Sequence, residues 1–233
     1  MIDFHSHILP GIDDGSRDPE ESRRMLEALT EQGVDLVALT SHFYASRNTP
    51  EQFLERRAAA LERLRPVLTE EMPELRLGAE VLYFRGITRM EVLPRLRLEG
   101  TRLLLLEMPF AAWSDGEVRE VIDLCHDPEF VVLLAHIERY LKFQKASVWD
   151  RLLEEGAVMQ CNATFLLPLL QQRKAVSMIR EGSIHVMGSD CHNMTSRPPK
   201  MSDALAVLRK RLGQRETERF IDRSYDYLED WRA

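Results

Sequence analysis

Seven short apolar runs alternate with amphipathic segments along this chain, at 2–4, 36–40, 75–79, 103–106, 130–135, 158–161 and 184–188. Alternation of strand-length apolar runs with helical periodicity predicts β-α repeats and a parallel sheet, whose strands are buried on both faces. The intervening segments carry helix punctuation. Asp18 and Pro19 open a helix over 20–32 that Gly33 closes, and Thr49-Pro50-Glu51 starts a charged helix running to about residue 69. Further helices are expected over 116–125, 145–155 and 165–180, with two more after Lys200, while 83–102 shows no clear periodicity. No repeat, low-complexity tract or linker interrupts the 233 residues, so one domain over 1–233 is expected.

The polar residues that break the apolar runs share one location. His5 and His7 follow the first run, His42 the second, Glu80 the third, Glu107 the fourth, His136 the fifth, and Asp190 with His192 the seventh. Each therefore sits at the C-terminal end of an expected strand, the rim on which β/α barrels carry active sites. The last stretch, IHVMGSDCH at 184–192, is the most telling. A stiff apolar element there ends in a carboxylate and an imidazole two positions apart, which an extended backbone turns to the same side. Carboxylate with imidazole suits Zn, Mn or Fe rather than Ca.

Taken singly these signals are weak. His-x-His can be two hydrogen-bonded core histidines, His42 in TSHF a third, and Glu80 can pair with an arginine. Glu107, within LLLLEMPF, is harder to dismiss, because a buried unpaired carboxylate costs several kcal/mol or takes up a proton. A metal removes that cost. Asp13 and Asp14 precede Gly15 in an ordinary turn sequence, yet the turn leaves the metal-bearing end of the first strand; Asp14 is the favoured ligand and Asp13 the substitute. His126, at a helix end, and His185, at the start of the seventh strand, fall away from the rim and are excluded. Of three cysteines, Cys191 lies beside the site, and Cys191-x5-Arg197 matches a cysteine-phosphatase loop in spacing. Its interior lacks the glycine that lets such a loop wrap amides around phosphate.

Together HSHILPGIDDGS, TSHF, GAE, HIERY and SDCHN...SRPP resemble the PHP (polymerase and histidinol phosphatase) superfamily over nearly the whole chain. More narrowly they resemble the manganese-dependent bacterial tyrosine-protein phosphatases of capsule and exopolysaccharide loci. The resemblance implies a distorted TIM-like (β/α)7 barrel with three divalent metal ions, Mn first and Fe or Zn as alternatives, at the C-terminal rim of the strands. It implies a first ion on His5, His7, Glu80 and Asp190, a second on Glu80, Glu107 and His136, and a third on Asp14, His42 and His192. The implied substrate is the phosphotyrosine of a cognate tyrosine autokinase that controls polysaccharide synthesis. Histidinol phosphatases tend to carry histidine where this chain has Asp14 and Glu107, which favours the tyrosine-phosphatase branch.

Charge bookkeeping agrees with phosphate chemistry. Five neutral histidines and four carboxylates with three divalent ions leave a centre of about +2 for a phosphate dianion. Metal-activated hydroxide would attack in line, with Arg139 and Arg197 holding equatorial phosphoryl oxygens as planar forks. Histidinol phosphate or another small phosphomonoester is the rival substrate, and a regulatory binding protein that has lost activity is disfavoured by the intact ligand set. The formal charge of −7, with Lys and Arg interleaved among Glu, argues against nucleic acid. No apolar run approaches the roughly 20 residues that span a bilayer, so no membrane insertion is expected. An odd cysteine count and the absence of a leader pattern at the start point to the cytoplasm.

Overall fold

The computed structural model describes residues 1–229. The strands are β1 (Ile2–Ser6), β2 (Leu36–Leu39), β3 (His42–Phe43), β4 (Glu74–Leu77), β5 (Glu80–Leu82), β6 (Leu103–Glu107), β7 (Val131–Leu134), β8 (Val158–Asn162) and β9 (Val186–Gly188). They form two parallel sheets, in the orders β1-β2-β4 and β3-β5-β6-β7-β8-β9. β9 lies back against β1 through an isolated bridge between Ser6 and Cys191, with Asp190 N–H donating to the His5 carbonyl at 2.7 Å and His7 N–H to the Cys191 carbonyl at 3.0 Å. The strands thus make a curled parallel assembly whose first and last members meet.

The helices are α1 (Pro19–Glu31), α2 (Pro50–Leu64), α3 (Asp115–His126), α4 (Ala146–Glu154), α5 (Leu169–Arg180), α6 (Met201–Arg211) and α7 (Gln214–Glu229). Their starts follow the capping chemistry. Asp18 accepts from Glu21 N–H at 2.9 Å, and Thr49 with Gln52 and Ser114 with Glu117 form capping boxes. Gly33 takes φ 76 just beyond α1, a left-handed turn that a residue with a Cβ resists. Among the described residues no helix is long and apolar enough to cross a membrane. Residues 230–233 of the single domain expected over 1–233 lie outside the described ones.

Alternate residues on one strand serve two cores. Leu103 and Leu105 pack inside the curl with Phe4, Leu36, Leu133 and Val186, while Leu104 and Leu106 face the helices. Burial on both faces is why these strands read as unbroken apolar runs.

Two expectations need correction, and a third, the lack of periodicity over 83–102, holds. The runs at 36–40 and 75–79 are not single strands: each breaks after β2 or β4 and resumes as β3 or β5, in the second sheet. Glu80 N–H donates to both the Thr40 and Ser41 carbonyls, at 3.1 Å each, which shifts the ladder at the break. The expected helix over 165–180 is a 3-10 turn, Ala163–Leu166, followed by α5; the break is at Pro168, which has no N–H to continue the turn and takes extended backbone, ψ 128, at the start of α5. The segment 83–102 contains only the short 3-10 turns Ile87–Arg89 and Leu93–Leu96, so there is no α-helical period to find.

Candidate metal centre

All nine expected ligands converge at one end of the curled sheet, although not every one follows its strand. His5 lies within β1, His42 and Glu80 open β3 and β5 and pair with each other in register, and Glu107 ends β6. His136 stands two residues after β7, and Asp190 and His192 just after β9. His136, at φ 33, and Asp190, at φ 51, are the non-glycine residues with left-handed backbone among those described. Strain of this kind persists where the surroundings over-determine a side chain's position, and both instances fall in one cluster.

Donor atoms within 4.8 Å of one another form three overlapping groups: His7, Asp14, His42 and His192; His5, His7 and Asp190; and His42, Glu80 and Glu107. His136 enters through its Nε2, 2.9 Å from Glu80 Oε1 and 3.4 Å from Glu107 Oε1. Glu80 is the hub, with ring nitrogens of His5, His7, His42 and His136 all within 3.4 Å of its oxygens.

The two turn carboxylates separate cleanly. Asp13 points inward, accepting from His7 Nδ1 at 2.9 Å, from His42 N–H at 2.9 Å and from Gly15 N–H at 3.0 Å. Asp14 is 67% exposed and sets Oδ1 3.3 Å from His42 Nε2 and 3.5 Å from His192 Nε2. Thus Asp13 fixes the His7 ring while Asp14 faces the cluster.

The donor set fits a cation better than it fits itself. His42 Nδ1, Glu80 Oε2, His136 Nδ1 and His192 Nε2 are buried without a hydrogen-bond partner. His42 Nδ1 and Glu80 Oε2 lie 2.7 Å apart but out of hydrogen-bond alignment. His5 Nε2 and His7 Nε2 face each other at 3.1 Å, an arrangement that a shared cation satisfies from both sides. With His192 Nδ1 donating to the Asp190 carbonyl at 3.0 Å, its Nε2 lone pair points into the cluster.

The local field demands positive charge. Burial opposes protonation of His7, but its hydrogen bond to Asp13 and the nearby Glu80 carboxylate outweigh it and raise its pKa to about 10. Burial likewise opposes protonation of His136, and Glu107 and Glu80 raise it to about 9. His192 falls to about 4 through burial, His7 and Arg197. Despite burial, Glu80 is held ionised by His5, His136 and His42. Positive charge placed among these carboxylates is what protons on His7 and His136 supply here, and what divalent ions can supply instead.

Arg139, on a 3-10 turn (Ile137–Arg139) after β7, donates to Asp190 Oδ2, and Arg197 Nη2 lies 2.7 Å from Oδ1 of the same carboxylate. Both guanidiniums are part-exposed, so the site presents two cationic forks beside its buried ligands. A cavity of about 410 Å³ opens on the Asp14 side, lined by His42, Tyr44 and Arg47, and one of about 630 Å³ on the Arg139 side.

Several supporting residues escaped the reading of the sequence. Gln160 Oε1 accepts from His136 N–H at 2.6 Å and lies 3.3 Å from His5 Nδ1; its Nε2 donates to Asn162, whose Nδ2 donates to Asp190 at 2.8 Å. Asp3, raised to about 6 by burial, accepts from the Ser189 and His5 amides. The alternation of Gln160 and Asn162 within VMQCN places two amides on one strand face, the same spacing that singled out His5 and His7. The excluded residues stay away: His126 is 59% exposed and meets Glu155 at 2.6 Å, and His185 Nδ1 accepts from Met159 N–H. Cys191 is fully buried and burial pushes its thiol upward, the reverse of a thiolate nucleophile.

Gly188 allows β9 to approach β1. A Cβ there would meet His5 Cβ at 2.5 Å and His5 N at 2.9 Å. Gly188→Ala is therefore expected to cost about 1–3 kcal/mol and to displace His5. A lower melting temperature together with a lower metal affinity in titration checks this.

Comparison with known proteins fits this geometry. The chain is 30% identical over 224 residues to the tyrosine-protein phosphatase YwqE of Bacillus subtilis, covering 91% of this chain and 85% of that one. It is 28% identical over 236 residues to CpsB of Streptococcus pneumoniae, a tyrosine-protein phosphatase, covering 95% and 96%. A crystal structure from work on YwqE and CpsB, described as metal-dependent tyrosine phosphatases, superposes with a TM-score of 0.84 at 25% identity, over 99% of this chain and 95% of that one. The family model for capsular polysaccharide synthesis, CpsB/CapC, matches residues 1–226. A match over that span, at whose strand ends the buried histidines and carboxylates meet, places this chain in the CpsB/CapC family.

Proposed function

We propose that the chain is a metal-dependent tyrosine-protein phosphatase that hydrolyses phosphotyrosine on a protein substrate. The observation that carries this is that the unpartnered, buried His42 Nδ1, Glu80 Oε2 and His192 Nε2 belong to overlapping groups of converging donor atoms beside two guanidiniums, in a chain whose relatives are named for that activity. In this reading the whole chain, 1–233, is one phosphatase domain, and the curled sheet is a distorted (β/α)7 barrel with β2/β3 and β4/β5 each filling one strand position.

His5, His7, Glu80 and Asp190 would hold one ion, Glu80, Glu107 and His136 a second, and Asp14, His42 and His192 a third, with Mn as the first choice and Fe or Zn as alternatives. Such ions, when bound, polarise phosphoryl oxygens and acidify water toward neutral pH. The chain's own groups do the rest. Asp13 keeps the His7 proton on Nδ1 and so leaves Nε2 as a donor atom. Arg139 and Arg197, already converging on Asp190, hold phosphoryl oxygens as charge redistributes. Tyrosine leaves as a phenolate of pKa about 10, which lessens the need for a general acid. A cytoplasmic tyrosine autokinase governing polysaccharide synthesis is the proposed partner.

The competing substrate is histidinol phosphate. With Mn²⁺ present, a phosphotyrosyl peptide is expected to be turned over with far higher kcat/KM than histidinol phosphate. Turnover of histidinol phosphate alone would contradict the assignment.

A further inference from the structure

The cavity of about 630 Å³ beside Arg139 is lined by Phe110, Arg139, Lys142, Phe143, Phe165 and Lys174, among others. Phe110 is unusual: it is 51% exposed, one of three large apolar side chains left open among the described residues. Its ring is nevertheless fixed. It stacks on Tyr140 at 5.5 Å and on His136 at 5.9 Å, each at 27°, and the Arg139 guanidinium carbon lies 5.9 Å from its centroid. An exposed aromatic ring held rigid against a candidate metal ligand and a phosphate-binding arginine is a preorganised contact surface.

The cavity also has a charge. Lys142 and Lys174 are exposed and, among the described residues, enter no ion pair with an acid, and Lys142 Nζ sits 4.7 Å from the Phe143 ring. Glu138, the acid in the lining, is half-buried and accepts from Asn162 N–H, so three cations face one carboxylate around this cavity. In a chain of net charge −7, this mouth is locally basic. The first turn of α5, which contributes Gln171 to the lining, opens with Leu169 and Leu170, 74% and 95% exposed.

We infer that this cavity receives the aromatic ring of the phosphotyrosine and the acidic residues flanking it, with Phe110 as the surface on which the ring stacks. The inference rests on the phosphatase reading above. Arg139 touches Asp190 and lies 5.9 Å from the Phe110 ring, so a ring attached to a phosphoryl group held by Arg139 has Phe110 beside it, and Lys142 and Lys174 line the same cavity. An acidic strand complements those cations, and the exposed leucines of α5 suit a macromolecular substrate better than a free amino-alcohol phosphate.

The test separates ring binding from phosphate binding in the Mn²⁺-loaded enzyme. Phe110→Ala is expected to raise KM for a phosphotyrosyl peptide about tenfold, leaving the inhibition constant of inorganic phosphate unchanged, and Phe110→Tyr is expected to restore the wild-type KM. A parallel rise in both constants would show that Phe110 supports the metal cluster through His136, and an unchanged KM that the ring sits elsewhere; either overturns the stacking assignment. Wild type is expected to prefer peptides with acidic flanks over lysine flanks, and Lys142→Glu with Lys174→Glu to invert that preference. An unaltered preference overturns the placement of the flanks. A wild-type enzyme that turns over no phosphotyrosyl peptide would instead overturn the phosphatase assignment itself.

Discussion

Replacing Asp190 with alanine is expected to abolish measurable turnover while leaving the chain folded. The loss should exceed the roughly 10–100-fold that follows removal of an outer-shell partner, because Asp190 contacts the cluster directly. Its oxygens face His5 and His7, at 3.7 and 3.6 Å, and both arginines, and Asn162 donates to it. Removing it would leave two guanidiniums without their carboxylate, but both are part-exposed and water can solvate them, so global stability should change little. Metal content, circular dichroism and turnover measured on one preparation check the combination. His126→Ala, at a solvated helix end, should alter none of the three; wild-type turnover in Asp190→Ala would remove that residue from the site.

The second large effect is expected at Arg139. Arg139→Ala should lower kcat by about 10²–10³ with the metal retained, the usual consequence of losing one preorganised donor to a developing anion. Guanidinium cannot bind a cation, so its loss should not empty the site directly. The contact between Arg139 and Asp190 makes the alternative concrete: the arginine could act by positioning the carboxylate. Metal lost in proportion to activity would establish that positioning role in place of phosphoryl contact. Arg139→Lys should recover only part of the rate, since a point charge replaces a planar fork.

Much of this was legible in the residues themselves. Burial on both faces makes a parallel strand an unbroken apolar run, so β1, β6, β7, β8 and β9 could be seen without any coordinate, and with them the strand ends that carry His5, Glu107, His136 and Asp190. Two helix starts were equally visible, because Asp18 and Thr49 cap through local hydrogen bonds that depend only on near neighbours. What escaped depends on contacts distant in sequence. The breaks that place His42 and Glu80 in a second sheet arise where Glu80 N–H meets the Thr40 and Ser41 carbonyls across neighbouring strands. Whether Asp13 or Asp14 faces the cluster is decided by the path of a turn and by His7 Nδ1, not by the side chains, which are identical. Gln160 and Asn162 were missed because an amide in an apolar strand has no chemistry of its own until His5, His136 and Asp190 are brought beside it.

The central claim is that histidines and carboxylates at this rim act by holding divalent ions, and activity after metal removal tests it most directly. Chelation followed by removal of the chelator is expected to eliminate hydrolysis of a phosphotyrosyl peptide, and addition of Mn²⁺ to restore it in step with the metal bound. Full hydrolysis by protein verified as metal-free, combined with its loss on alkylating Cys191, would contradict the account.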